Sequence, residues 1–185
     1  DVYKRQFEAI AAYGVDRWLG ELVHELKAKA YCPNAVRRVW IPKGDGKLRP
    51  LGIPTIRDRV VQMAVVLVVE PIFDEDLPPE QHAYRAGHSA HAAVRSVQSW
   101  LDRGYTEVVD ADLSGYFDSI PHPELMKCVA RRISDSRVLH LVKMWLEAAV
   151  EETDEPGRMR RTTRNKDEGR GTPQGGVLSP LLANL

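Results

Sequence analysis

Val108-Val109-Asp110-Ala111-Asp112-Leu113, running on into Ser114-Gly115-Tyr116-Phe117-Asp118, sets carboxylates among strong strand formers. Such residues favour extended backbone, and Glu107 to Leu113 is predicted as a short strand. Side chains alternate along a strand, so Asp110 and Asp112 fall on one face. Asp112 stands where the strand gives way to a loop, and two readings stand for it. It caps the following turn, or it binds a hard cation such as Mg2+, which takes one or two carboxylates together with substrate phosphates. Phe117, further along the same segment, either packs on a sugar ring and senses a 2′-hydroxyl or belongs to the core. Asp118 reads as a local cap or ion-pair partner.

Upstream, Val36, Val39 and Ile41 and then Leu48, Leu51 and Ile53 flank Lys43-Gly44-Asp45-Gly46, a hairpin pattern with Gly44 and Asp45-Gly46 as turn residues. Lys43 and Arg49 sit on its two arms, where an ammonium and a forked guanidinium can grip a triphosphate; the other reading is a basic edge protected from aggregation. Downstream, Gly171-Thr172-Pro173-Gln174-Gly175-Gly176 is a loop whose glycines admit a ligand close to the backbone. It lacks the Gly-Lys-Ser/Thr of a P-loop, and Gln174 is placed to meet a base or sugar edge. Helical spacing marks Val15 to Leu26, with an end before Pro33. Thr55 and Asp58 form a capping box for a buried helix ending near Pro71, and Ser89 caps a helix through Leu101 that Gly104 closes. Further helices are expected from Pro121 or Pro123, over Val138 to Val150, and from Ser179-Pro180. Residues 74–88 read as loop and 151–172 as a polar stretch. No regular βαβ period is present, so the class is α+β.

The 185 residues suit one domain and carry 26 Lys+Arg against 26 Asp+Glu, so total charge names no partner. The distribution does: residues 27–59 hold nine Lys/Arg against Asp45 and Asp58, and residues 157–170 hold six against two. Such basic stretches fit a phosphate-rich partner or a solvated face. The longest apolar run, Met63 to Val69, is far short of the ~20 residues of a membrane span. Cys32 and Cys128 make neither a disulfide framework nor a zinc pattern, and His82, His88 and His91 lack a fourth ligand at familiar spacing. Asp1 to Gln6 look like a translated sequencing adaptor, and the chain stops inside the helix begun near Ser179, so it is expected to be an internal fragment.

In order, these segments closely resemble the reverse transcriptase domain of group II intron-encoded proteins. Val36 to Lys43 with Gly46 to Pro54 is similar to the first fingers block, followed by Ile56 to Gln62 and Glu70 to Phe73. Tyr84-Arg85-Ala86-Gly87-His88-Ser89-Ala90-His91 resembles the second block, Val109 to Asp118 the polymerase A motif, and Gly171 to Pro180 the B motif. The resemblance implies a right-hand polymerase: residues 7–104 fingers, residues 105–185 an incomplete palm ending before the Tyr-x-Asp-Asp hairpin. It implies that Asp112 is a catalytic aspartate shared by two Mg2+ ions and that Phe117 is the gate against ribonucleotides. Lys43 and Arg49 would hold the incoming dNTP, Gln174 the nascent pair, and Arg37, Arg38, Arg85 and Gly175 nucleic acid. Ala86 and His88 depart from the Pro and Arg frequent in the family, which puts loop rigidity and one template-side charge in doubt.

The implied activity is RNA-directed DNA polymerisation by the full-length parent, on an RNA template with a DNA primer. Intron RNA would be a further partner in splicing and mobility, and the location a bacterial cytoplasm, in nucleoid or ribonucleoprotein. The fragment alone is expected to be inactive and to leave an open sheet edge with uncovered apolar surface. Other enzymes of the class stay open, namely retron, diversity-generating, defence and CRISPR-associated reverse transcriptases, as does an RNA-binding maturase with a decayed polymerase site. A basic α+β binding module leaves the ordered motifs unexplained.

Overall fold

The computed structural model describes residues 2–44, 46–153 and 157–185. Asp1 of the adaptor-like segment and Asp45 of the expected hairpin turn lie outside them. Helices α1 (Val2–Tyr13) and α2 (Val15–Lys27) meet at Gly14, whose φ of 100° suits glycine. Strands β1 (Val36–Pro42) and β2 (Leu48–Ile53) form the expected antiparallel hairpin, with Val39 opposite Leu51 and Ile41 opposite Arg49. Helix α3 (Ile56–Asp74) opens as read: the Thr55 hydroxyl accepts from the Asp58 N–H. It does not end at Pro71 but runs through it to Asp74. The carbonyl that loses its donor to Pro71 belongs to Leu67, a residue on the exposed side of the helix (67%).

Helix α4 (Ala90–Asp102) begins at Ser89, whose hydroxyl accepts from Ala92 N–H, and Gly104 follows it with φ of 92°. The expected strand at Glu107–Leu113 does not form; the segment is irregular and exposed, Val109 to 94%. A strand needs a partner for its N–H and C=O groups, and among the described residues none lies alongside, so β propensity alone leaves it unformed. Asp110 and Asp112 therefore share no strand face.

After α5 (Tyr116–Ser119) and α6 (His122–Ala130), helix α7 (Ser136–Leu146) starts earlier than expected, because Asp135 caps it through the Arg137 N–H. It also stops earlier. Val150 opens β3 (Val150–Thr153), which pairs parallel with β1 at Val36. β4 (Met159–Thr162) pairs antiparallel with β3, so the polar stretch hides a hairpin, followed by α8 (Arg164–Glu168) and α9 (Ser179–Leu182). The sheet order is β2-β1-β3-β4, which bears out the α+β class. The core gathers Val61, Phe73, Val129, Val142 and Leu146 from α3, α6 and α7 against Leu178 and Leu182. Among the described residues no helix is long and apolar enough to cross a membrane.

One buried polar cluster ties α3 to the rest. Asp58, 1% exposed, accepts from Tyr31 Oη at 2.8 Å, Asn34 N at 3.1 Å and Thr55 Oγ1 at 2.6 Å. Trp145 Nε1 donates to Tyr31 Oη at 3.0 Å, and burial pushes the Tyr31 hydroxyl pKa well above its usual range. Removing a carboxylate that several buried donors share strands all of them. Asp58→Ala is expected to lower unfolding free energy by about 3 kcal/mol or more, and Tyr31→Phe by about 1–2, in urea titrations. At the α7 cap, side-chain and backbone hydrogen bonds from Arg137 hold the Asp135 carboxyl at about 2, below its ordinary 3.8. A carboxylate pKa lowered on folding adds stability that is complete above its unfolded value and lost as pH falls through its folded one. NMR titration is expected to show the Asp135 cap intact at pH 5 and released near pH 2.

Candidate active site

Five of the residues singled out from sequence, Lys43, Arg49, Phe117, Gln174 and Gly175, line one cleft of about 480 Å³. Lys43 and Arg49 reach it from β1–β2, Phe117 from α5, and Gln174 from the loop before α9. Arg49 Nε donates to Gln174 Oε1 at 3.0 Å, joining residues 125 positions apart. The exposed Lys43 ammonium makes no hydrogen bond or ion pair with any described residue. Two cations and an amide beside a half-buried aromatic can take a polyanion, a planar base and a sugar together.

The loop is seated on the hairpin by glycines. Gly52 N–H donates to the Gln174 carbonyl at 2.6 Å, and a Cβ on Gly175 would stand 2.8 Å from Gly52 O. A Cβ on Gly52 would stand 2.9 Å from Val36 Cγ1 and 3.0 Å from Pro173 Cβ. Inside the loop, Ser179 Oγ donates to Pro173 O at 2.8 Å and meets Thr172 Oγ1 at 2.9 Å. Gln62, 6% exposed on α3, accepts from Val177 N at 3.0 Å and Leu178 N at 3.4 Å. The loop's start is laced to α5: Thr172 N–H donates to Phe117 O at 2.7 Å, and Gly171 N–H to Ile120 O at 2.8 Å. Sequence reasoning gave no role to Gln62, though a lone amide in the apolar run Val60-Val61-Gln62-Met63-Ala64-Val65 marks it.

The other candidates lie elsewhere. Asp112 is exposed on the irregular segment and is not among the residues lining the cleft. Arg85 turns inward: its guanidinium donates to Asp74 Oδ1 at 2.6 Å and to Pro78 O at 3.0 Å, pinning the loop after α3. Arg37 is exposed on β1, while half-buried Arg38 stacks its guanidinium 5.9 Å from the Trp40 ring and leaves Nε without a partner. His82 and His88 bring their Nδ1 atoms within 3.2 Å of each other as a loop contact. Among the described residues no group of three or more His, Cys, Asp or Glu gathers as a metal site.

The cleft thus brings together a basic hairpin, an aromatic after an acidic segment and a glycine-seated glutamine. The chain belongs to the reverse transcriptase (RNA-dependent DNA polymerase) family, whose profile matches residues 41–185. It is 44% identical over 165 residues to Protein YkfC of Escherichia coli K12, covering 87% of this chain and 41% of that protein. It is 34% identical over 166 residues to the group II intron-encoded protein LtrA of Lactococcus lactis subsp. cremoris, covering 89% of this chain and 26% of that protein. The chain thus spans less than half the length of either relative. A solved partial Cas6-RT-Cas1–Cas2 complex shares the fold with a TM-score of 0.57 at 24% identity, over 91% of this chain and 28% of that one.

Gly175 has φ of 103° as well as a crowded Cβ position. Gly175→Ala is expected to unseat the loop from β2. Amide hydrogen exchange should show it, with the Gly52 N–H losing about tenfold or more of its protection relative to amides of α7.

Proposed function

We propose that this chain is the nucleotide-binding part of an RNA-directed DNA polymerase of the group II intron type. Residues 7–104 supply most of a fingers-like region, residues 105–185 part of a palm, and β3–β4 join the fingers sheet. The observation that carries the reading is the convergence of Lys43, Arg49, Phe117 and Gln174 on one cleft. In the reaction a primer 3′-hydroxyl attacks the α-phosphate of a dNTP in line and pyrophosphate leaves. Lys43 and Arg49 offset charge on the β- and γ-phosphates. Gln174, held by its own backbone to Gly52, meets the nascent pair from a fixed position. Phe117, with its carbonyl bonded to Thr172, stands where the sugar lies and excludes a 2′-hydroxyl. Arg37 and Arg38 on β1 and Arg160 and Arg161 on β4 follow the template–primer backbone, which makes binding sequence-tolerant and salt-sensitive. Arg85 instead shapes the loop beside the cleft.

Polymerases of this family use divalent metal ions. The described residues do not by themselves make a Mg2+ site, since no other His, Cys, Asp or Glu among them gathers with Asp112 into a group of three or more. We assign Asp112 one ligand position and the remaining carboxylates to a Tyr-x-Asp-Asp hairpin of the full-length protein. Intron RNA is the further partner this reading implies, and a bacterial ribonucleoprotein in the cytoplasm its setting.

Primer extension on an RNA template with Mg2+, using the full-length reading frame, tests the reading. Wild type is expected to make DNA and Asp112→Ala none. Arg49→Ala should raise the KM for dNTP by about 10- to 100-fold, the worth of one charge-assisted contact. Equal activity of wild type and Asp112→Ala would remove the metal role. No product from wild type, with intron RNA still bound, would move the reading to an RNA-binding maturase.

A further inference from the structure

Tyr84 stands on the loop between α3 and α4 with φ of 56°, a left-handed conformation that costs free energy for an aromatic residue. The loop is pinned on both sides of it. Asn184 Nδ2 donates to Ala83 O at 3.1 Å, and the Arg85 guanidinium is bonded to Asp74 and Pro78. Tyr84 stays 53% exposed and is not part of the core, so core packing does not account for the strained backbone. What the conformation achieves is direction. The Tyr84 ring lines the same cleft as Lys43, Arg49 and Gln174 and meets the Phe117 ring edge to face, 6.3 Å between centroids. Tyr116 packs on Phe117 from another side at 5.8 Å, while its hydroxyl donates to Ala183 O at 2.7 Å. Phe117 thus makes T-shaped contacts with two aromatic rings, one from its own helix and one from a loop far away in sequence.

Resting on the reading of Phe117 as the sugar gate, we propose that Tyr84 is a positioning residue that fixes the Phe117 ring and thereby sets the discrimination between deoxyribonucleotides and ribonucleotides. An edge-to-face partner restricts the rotation of the ring it meets, and a gate works only while its face cannot retreat from the 2′ position. The phenol hydroxyl has no part in this, because the Tyr84–Phe117 contact is between rings.

The test is the ratio of kcat/KM for dNTP over rNTP in primer extension by the full-length enzyme. Tyr84→Gly removes the ring without adding strain at the positive φ, and Tyr84→Phe keeps both the ring and the backbone conformation. Tyr84→Gly is expected to lower the ratio by about tenfold, whereas Tyr84→Phe holds it. Added to Phe117→Ala, Tyr84→Gly should lower the ratio no further, since the two act through one ring. A purely structural role would lower both kcat/KM values together and leave the ratio in place. If Phe117→Ala collapses the ratio and Tyr84→Gly keeps the wild-type value, the role of Tyr84 is overturned and the gate reading survives. If Phe117→Ala itself keeps the wild-type ratio, the gate reading fails and the role of Tyr84 with it.

Discussion

Across the seam between β2 and the loop before α9, Gly52 N–H donates to Gln174 O at 2.6 Å, and a Cβ on Gly175 would stand 2.8 Å from Gly52 O. A Cβ on Gly175 would meet the Gly52 backbone and one on Gly52 the Val36 and Pro173 side chains, so the two glycines let the loop sit this close to β2. Everything at the cleft depends on it. With the loop seated, Gln174 meets Arg49, and Gly171 and Thr172 continue into hydrogen bonds with α5, which carries Phe117. Three segments distant in sequence become one wall through backbone bonds that salt does not screen and side-chain motion does not break. The charged groups of Lys43 and Arg49 can then stay exposed at the cleft rather than being tied up in a buried ion pair.

Buried polar atoms hold this wall to the core. The Gln62 amide lies on the apolar face of α3 and accepts from Val177 and Leu178 N–H groups, fixing where the loop turns into α9. Asp58, one turn earlier, does the same for Tyr31, Asn34 and Thr55 and, through Tyr31, for Trp145 on α7. Both polar side chains are buried on one helix, among apolar residues such as Val61 and Val66. Their contribution to stability is modest relative to the apolar core around them, but each loses heavily when a partner is removed, which makes their geometry exacting.

Local chemistry was legible where a residue acts on its own neighbours. Thr55 and Ser89 cap α3 and α4 through their hydroxyls, and Val36 to Ile53 forms the expected hairpin. Of the candidate site, Lys43, Arg49, Phe117 and Gln174 were singled out by type and setting, their roles were implied by the family resemblance, and the fold brings the four to one cleft. Reading failed where the outcome belonged to a distant segment. Val150 looks like the end of a helix, yet Val36 lies ready to pair with it and draws it into β3. Val108 and Val109 look like strand, yet no described strand lies beside them. Arg85 looks like a free cation, and Asp74 on the end of α3 takes it.

The sequence by itself determined the helix starts, the turn glycines, the basic hairpin and the order of motifs, because capping, φ preference and charge are properties of a few adjacent residues. Only the tertiary structure decided which of those residues share a cleft. It also decided that the β3–β4 hairpin completes the sheet of β1 and β2, and that Tyr84 turns its ring onto Phe117. These outcomes follow from backbone groups and ring faces meeting partners far away in the chain, and such a partner exists only once the chain has folded.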